Sequence, residues 1–316
     1  MREIGTLADG SAVHAIDLAA GELSVTVLTW GAVLREVRLA GVDHNLTHVP
    51  EILESWTSGE TPYHGALVAP VANRFTGGKA TLDGEEIDFE RNQDGVHMLH
   101  SGSAGTHAKL WDVVDRDSSQ VTLAVDLPAG EGNFPGNRRI TARFSVAPPA
   151  TLRLEIEAET DAPTFLNATN HSYWKLSDAP TWEGHSLRIA ADRVLPTDET
   201  DAPTGEIAGV AGTPMDFRES REPVPGDPML DHNFCLSDDR VELRDVLWLT
   251  GPTGLTLTLA TTEPGMQVYD GWRSGHDAIA LEPQGWPDAP NHAGFPSIVL
   301  RPGETYRSVS EWRFSR

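Results

Sequence analysis

Apolar and polar residues alternate at every second position along most of this chain, and that period restricts its fold more than any other feature. In TLRLEIEAE, which begins at Thr151, Leu152, Leu154 and Ile156 share one face, and Arg153, Glu155 and Glu157 the other. A strand with one face on a core and one in solvent has this pattern. RITARFSV precedes it across Pro148-Pro149-Ala150, which predicts a hairpin. ELSVTVL and VLREVRL flank Trp30-Gly31-Ala32, an extended run with a bend expected at the glycine. KATLDGEEIDF is a further hairpin candidate, because Asp83-Gly84 tolerates the left-handed backbone of a tight turn. VTLAVDL, HSLRIAA, LTLTLATT and SVSEWRF continue the period, and only PEILESW, near Pro50, has a helical pattern. There is no tandem repeat, low-complexity tract or linker. One all-β domain spanning 1–316 is therefore expected, a large antiparallel β-sandwich. Residues 195–229, rich in proline and acid, are expected to form long loops over one end of it.

Charge narrows the function. The chain has 24 Lys+Arg against 47 Asp+Glu, a formal net charge of -23. Such a surface repels phosphate backbones and anionic lipid, so neither nucleic acid nor membrane is an expected partner. A phosphorylated substrate would need a local basic pocket, whereas a neutral small molecule feels little of this field. The only cysteine, Cys235, stands between Phe234 and Leu236 and is expected to be a buried hydrophobe, with no internal disulfide. The first residues lack the apolar core of a signal peptide and no run approaches transmembrane length, so a soluble, cytoplasmic protein is expected, monomer or homodimer.

Four stretches carry groups suited to chemistry. In NATNHSYWKLS, from Asn167 to Ser177, a strand would put Asn167, Thr169, His171 and Tyr173 on one face, and Leu166, Ala168, Asn170, Ser172 and Trp174 on the other. Hydrogen-bonding groups beside aromatics suit a wall that grips a polyhydroxylated ligand. The plainer alternative is a core histidine bonded to a carbonyl. In DAIALEPQGWPDAPN, Ile279 and Leu281 face one way, and Ala278, Ala280 and Glu282 the other. Two small residues leading to a carboxylate leave room above the strand, and Pro283 holds Glu282 extended; the plainer alternative is a solvated strand-end glutamate. In VAPVANRFTGG, Arg74 follows an apolar strand, and its fork of donors suits adjacent sugar oxygens or simply a surface acid. In GVHMLHSGSAGTH, His97, His100 and His107 invite a metal reading, but the spacing matches no ligand motif and a glycine-rich loop supports zinc poorly, so no metal is expected.

Six motifs, in order, resemble those of the aldose 1-epimerase (galactose mutarotase) family. ANRFTGGKATLDGEEIDFERN is similar to its Ala-Asn-Arg strand and hairpin, MLHSG to its Leu-His-Gly-Gly loop, and TNHSYWKLS to its Thr-Asn-His-Ser-Tyr-Phe signature. LDHNFCL is similar to its Asp-x-x-Phe segment, LEPQGWPDAPN to its Leu-Glu-x-Gln-x-Phe-Pro-Asp-x-x-Asn motif, and LRPGETY to its closing strand. The resemblance spans the chain and implies a β-supersandwich with its site in a concave cleft. It implies His171 as general acid and Glu282 as general base for opening and reclosing a cyclic aldose. Arg74, His100, Asp231, Asn73, Gln284 and Trp286 would bind the sugar, and no metal, nucleotide or flavin would be needed. With ordinary pKa values, near ~4.3 for glutamate and ~6.5 for histidine, such a pair would give a bell-shaped rate profile with limbs near pH ~5 and ~7.5.

Several positions depart from the family pattern. Ala69-Pro70-Val71 stands where Gly-Arg-aromatic is usual, Ser101 where a second glycine is, and Trp174-Lys175 where Phe-Asn is. Gly285-Trp286 replaces His-Phe, and Tyr269 to Trp272 (YDGW) replaces a Tyr-Thr-Gly-Asn-like turn, which leaves the identity of the sugar open. Trp272 and Trp286 are candidate platforms for sugar C–H faces. Other readings are a non-catalytic sugar-binding or sensor protein, a glycoside hydrolase using Asp231 and Glu282, and a phosphosugar epimerase. The first has no need of a matched acid and base, the second leaves the histidine unexplained, and the third lacks a cationic cluster.

Overall fold

The alternating segments fold as antiparallel strands in a computed structural model that describes all 316 residues, Met1–Arg316. The largest sheet has eight strands in the order Asp112–Arg116, Gln120–Leu127, Arg138–Ala147, Thr151–Thr160, Tyr306–Ser315, Thr256–Thr261, Arg244–Thr250 and Ser186–Ile189. A six-stranded sheet runs Tyr173–Trp174, Ile279–Gln284, Gly265–Tyr269, Asp231–Cys235, Arg193–Leu195 and Ala208–Gly209. A four-stranded meander, from Arg2–Thr6 to Leu34–Leu39, completes the framework.

Alternation decides what lies between the sheets. Leu152, Leu154, Ile156, Leu257, Leu259, Trp312 and Phe314 of the large sheet meet Trp174, Phe234, Met266, Val268, Ile279 and Leu281 of the six-stranded one in a single apolar cluster. Burying side chains of this size contributes about 1.5–3 kcal/mol each. Because Ile279 and Leu281 point into that core, Ala280 and Glu282 must point out of the opposite face. The six-stranded sheet therefore presents its polar row to a cleft.

The expected hairpins form. Arg138–Ala147 pairs with Thr151–Thr160, whereas Leu23–Leu28 and Leu34–Leu39, expected as one extended run with a bend, fold back on each other as an antiparallel pair. Lys79–Leu82 pairs with Glu85–Asp88 across Asp83 and Gly84, both left-handed at φ 51° and 88°. The helix near Pro50 is only Leu53–Thr57. Residues 196–230 are loop apart from Ala208–Gly209. No helix is long and apolar enough to cross a membrane.

The segment around His171 differs from expectation. It is not one strand but three two-residue pairings: Thr164–Phe165 with Val299–Leu300, Thr169–Asn170 with Leu67–Val68, and Tyr173–Trp174 with Ile279–Gln284. Its own polar side chains take up backbone groups that a ladder would otherwise use. The Asn170 amide donates to the carbonyl of Gly65 (2.9 Å), and Asn167 pairs with the backbone of Gly285. Leu166, Ala168 and Trp174 nonetheless face the core, as alternation required.

Candidate active site

Strand register builds the floor of the cleft. Gln267 lies opposite Asn233 on one side and Glu282 on the other, so these side chains form one row. The next row is Asp231, Tyr269, Ala280 and Tyr173. The small Ala280 leaves depth between the larger side chains, and the cleft above it has a volume of about 470 Å³, in the usual range for small-ligand sites. His171, Glu282, Arg74, His100, Asp231 and Asn73 all line it, as expected.

Arg74 and His100 enter from a pair of irregular loops. Asn73 and His100 are left-handed, at φ 62° and 52°, a conformation that costs a non-glycine residue roughly 1–3 kcal/mol. Reciprocal bonds offset this: the Asn73 N–H donates to His100 Nδ1 (3.1 Å) and the His100 N–H to the Asn73 carbonyl (2.9 Å). Ser101, also left-handed, accepts the Val71 N–H (2.8 Å) and donates to the Val71 carbonyl (3.0 Å). The serine thereby fills the place of the usual glycine with a second clasp between the same two loops. The buried Arg74 guanidinium donates to Gln93 Oε1 (2.9 Å), Asn73 Oδ1 (3.1 Å) and Asp231 Oδ2 (3.2 Å). Gln267 donates to the other Asp231 oxygen (2.6 Å), so the carboxylate is fixed from both sides.

The acid and base candidates touch. His171 Nε2 lies 3.5 Å from Glu282 Oε1, and Glu282 is only 2% exposed. The His171 ring stacks with Tyr63 (5.9 Å, 23°) and Tyr173 (5.1 Å, 27°), and His64 stacks in turn on Tyr173 (4.2 Å, 10°). Burial governs both charges. It pushes His171 down to about 3, with the neighbouring His64 acting in the same direction, and pushes Glu282 well above the ordinary carboxylate range, helped by Asp231 and opposed by Arg74. This corrects the expectation of ordinary pKa values, which assumed a solvated pair. Without a ligand, burial works against the charged form of each group.

The three loop histidines do not gather. His97 bonds the Gly77 N–H and Thr200, and His107 packs edge-on against Tyr63. Instead one atom each of His100, His171 and Glu282 lie within 4.8 Å of one another, a spacing that fits a cation. The chemistry fits less well. His100 Nδ1 accepts the Asn73 N–H, which leaves the proton of the neutral ring on Nε2, a donor and not a metal ligand.

Two expected binding residues lie elsewhere. Trp286 is 1% exposed, packs against Phe295 and donates its indole N–H to the Pro264 carbonyl (3.0 Å), so it is core and no sugar platform. Alternation would put Trp286, four residues beyond Glu282 and two beyond Gln284, on the same face, but the strand ends at Gln284 and the chain turns the indole inward. Gln284 shares the face of Glu282 but is fully buried and does not line the cleft. Trp272 is partly exposed beside the cleft without lining it. Cys235 is buried, and burial pushes its thiol up to about 12, as an inert hydrophobe requires. Gln267, Gln93, Tyr63 and Asp201, whose carboxylate lies 3.6 Å from the Arg74 guanidinium, were missed. Gln267 alone had a signal, a polar residue between the core-facing Met266 and Val268.

The sequence model of the family described as aldose 1-epimerase matches residues 14–313. Galactose mutarotase of Rattus norvegicus is 33% identical over 332 residues, covering 97% of this chain and 95% of that protein. Aldose 1-epimerase of Escherichia coli (strain K12) is 32% identical over 321 residues, covering 92% and 91%. A crystal structure of an aldose epimerase homologue from C. elegans superposes with a TM-score of 0.88 at 27% identity, covering 96% of this chain and 99% of that one.

Proposed function

The chain belongs to the aldose 1-epimerase family and is a mutarotase, an isomerase acting on a sugar, and from that premise we propose that His171 is its general acid and Glu282 its general base. The observation that carries the assignment is their 3.5 Å contact on the cleft wall. The ring oxygen and the anomeric hydroxyl of an aldose share one carbon, so the groups that serve them must be neighbours. With a sugar bound and the pair's one proton passed from Glu282 to His171, Glu282 takes the anomeric O–H proton, and that O–H electron pair forms the new carbonyl. The bond from C1 to the ring oxygen breaks, and the ring oxygen takes the proton of His171. Rotation about C1–C2 and reversal of both transfers close the other anomer. Arg74, His100, Asp231 and Asn73 bind hydroxyls, with Gln267 holding Asp231 in place.

This reading extends to a single working domain over 1–316, to catalysis without metal or cofactor, and to a cytoplasmic protein whose one cysteine is buried. The substrate is a neutral aldose, because the chain carries a net charge of -23 and Arg74 is already matched by Asp231. Polarimetry with freshly dissolved pure anomers of galactose, glucose, galacturonate and hexose 6-phosphates tests it. The neutral sugars should approach equilibrium faster than the subtracted background, with a higher kcat/KM than the charged ones. Acceleration of none would make the protein a binder, and a preference for a sugar phosphate would overturn the substrate class.

A further inference from the structure

Three segments bring the reacting groups together: 65–75 carries Asn73 and Arg74, 164–174 carries His171, and 279–285 carries Glu282. One residue, Asn167, is bonded to both of the others from its own place in the middle segment, to the first through its backbone and to the third through its side chain. Its backbone N–H donates to the Pro70 carbonyl (2.7 Å) and its carbonyl accepts the Ala72 N–H (2.7 Å). Its side-chain Oδ1 accepts the Gly285 N–H (2.6 Å), and its Nδ2 donates to the Gly285 carbonyl (3.2 Å). The amide thus pairs with Gly285 as a strand backbone would, and it is 1% exposed. The approach is close enough that a Cβ on Gly285 would come within 3.0 Å of Asn167 Oδ1, so this pairing and the glycine that departs from the family pattern belong together. Asn167 is four residues before His171, and Gly285 three after Glu282.

We propose that Asn167 is a positioning residue that sets the spacing of His171 and Glu282 and ties both to the Arg74 loop. It touches no substrate and acts through the two groups it locates. The proposal rests on the acid–base reading above. A carboxylate at this position keeps the acceptor for the Gly285 N–H but faces the Gly285 carbonyl with no proton to give. A protonated carboxyl restores both bonds, and burial favours that form.

The test uses the full chain, polarimetry with galactose, circular dichroism for folding, and Asn167→Ala, Asn167→Asp, His171→Ala and Glu282→Ala. Folded Asn167→Ala should lose at least ~10-fold in kcat with KM changed less than ~3-fold, the signature of misplaced catalytic groups with binding retained. The kcat of Asn167→Asp relative to the parent should rise as pH falls. A folded Asn167→Ala with kcat within about twofold of the parent overturns the proposal. If that variant does not fold, an Asp variant whose pH profile parallels the parent overturns it. Should His171→Ala and Glu282→Ala be as active as the parent, the acid–base reading itself fails; if they are inactive and the Asn167 variants normal, only the positioning role does.

Discussion

Glu282 projects from a six-residue strand, Ile279–Gln284, paired along Gly265–Tyr269 on one edge and with Tyr173–Trp174 on the other. His171 falls in the gap between two short pairings, Thr169–Asn170 and Tyr173–Trp174. The base is aimed by a regular ladder, so its direction follows from alternation and one core-facing neighbour on each side. The acid is aimed by side chains: Tyr63 and Tyr173 against its ring, and Asn167 and Asn170 on the backbone around it. The pair shows that a regular and an irregular support can deliver side chains to the same few ångströms. The irregular one does so by spending buried polar groups where the regular one uses its backbone.

The most severe way to break this comparison is to remove each partner. His171→Ala and Glu282→Ala should each slow mutarotation by at least ~10²-fold, the usual worth of a general acid or base. Both variants should remain folded, since neither side chain belongs to the apolar clusters. Near-parental rates by polarimetry in both would show that the two supports present no working pair.

A change in the shape of the pH profile sharpens it further. The reaction needs one proton on the pair, whichever group holds it at rest. Burial lowers His171 to about 3 and raises Glu282, so the pair should take up a second proton only below the range of a solvated pair and should lose its one proton from the raised carboxyl. The acidic limb of the specificity constant should therefore lie below pH ~5. In Glu282→Gln only the histidine titrates, so the residual rate should fall as pH rises and have no acidic limb. Parental limbs near pH ~5 and ~7.5 would mean that the site is hydrated and the buried description wrong.

The smallest expected effect is none at all. His100 completes a triangle with the acid and base, yet its Nδ1 is held by the Asn73 N–H. Prolonged dialysis against a strong chelator should leave the rate unchanged. A loss restored by zinc would mean that the triangle, and not the acid–base contact, is the working unit.

What could be read in the sequence follows the same division. The hairpins, the core face of the Glu282 strand and the space above Ala280 all came from period-two alternation, because a ladder enforces it. Alternation also placed Leu166, Ala168 and Trp174 in the core, but it could not show that the segment breaks between them. The breaks are set by Asn167 and Asn170, whose partners Gly285 and Gly65 are more than a hundred residues away. Trp286 was misplaced for a related reason: past Gly285 the strand ends, and face assignment by counting ends with it. Tyr63 comes from a turn with no pattern at all. The pKa directions needed burial, which no local sequence reveals.

The place of Tyr306–Ser315 in the large sheet has a consequence for how the chain is made. It lies between Thr151–Thr160 and Thr256–Thr261, both synthesised before it. Until it arrives, those two strands present open edges to each other and to other chains, a state that invites aggregation. Trp312 and Phe314, which cover the far side of Trp174, arrive with it. The strand that follows the acid therefore has no floor until the last strand is inserted. During synthesis the site cannot take its final shape before Tyr306–Ser315 has been made, and the growing chain has to be shielded until then where it carries its chemistry.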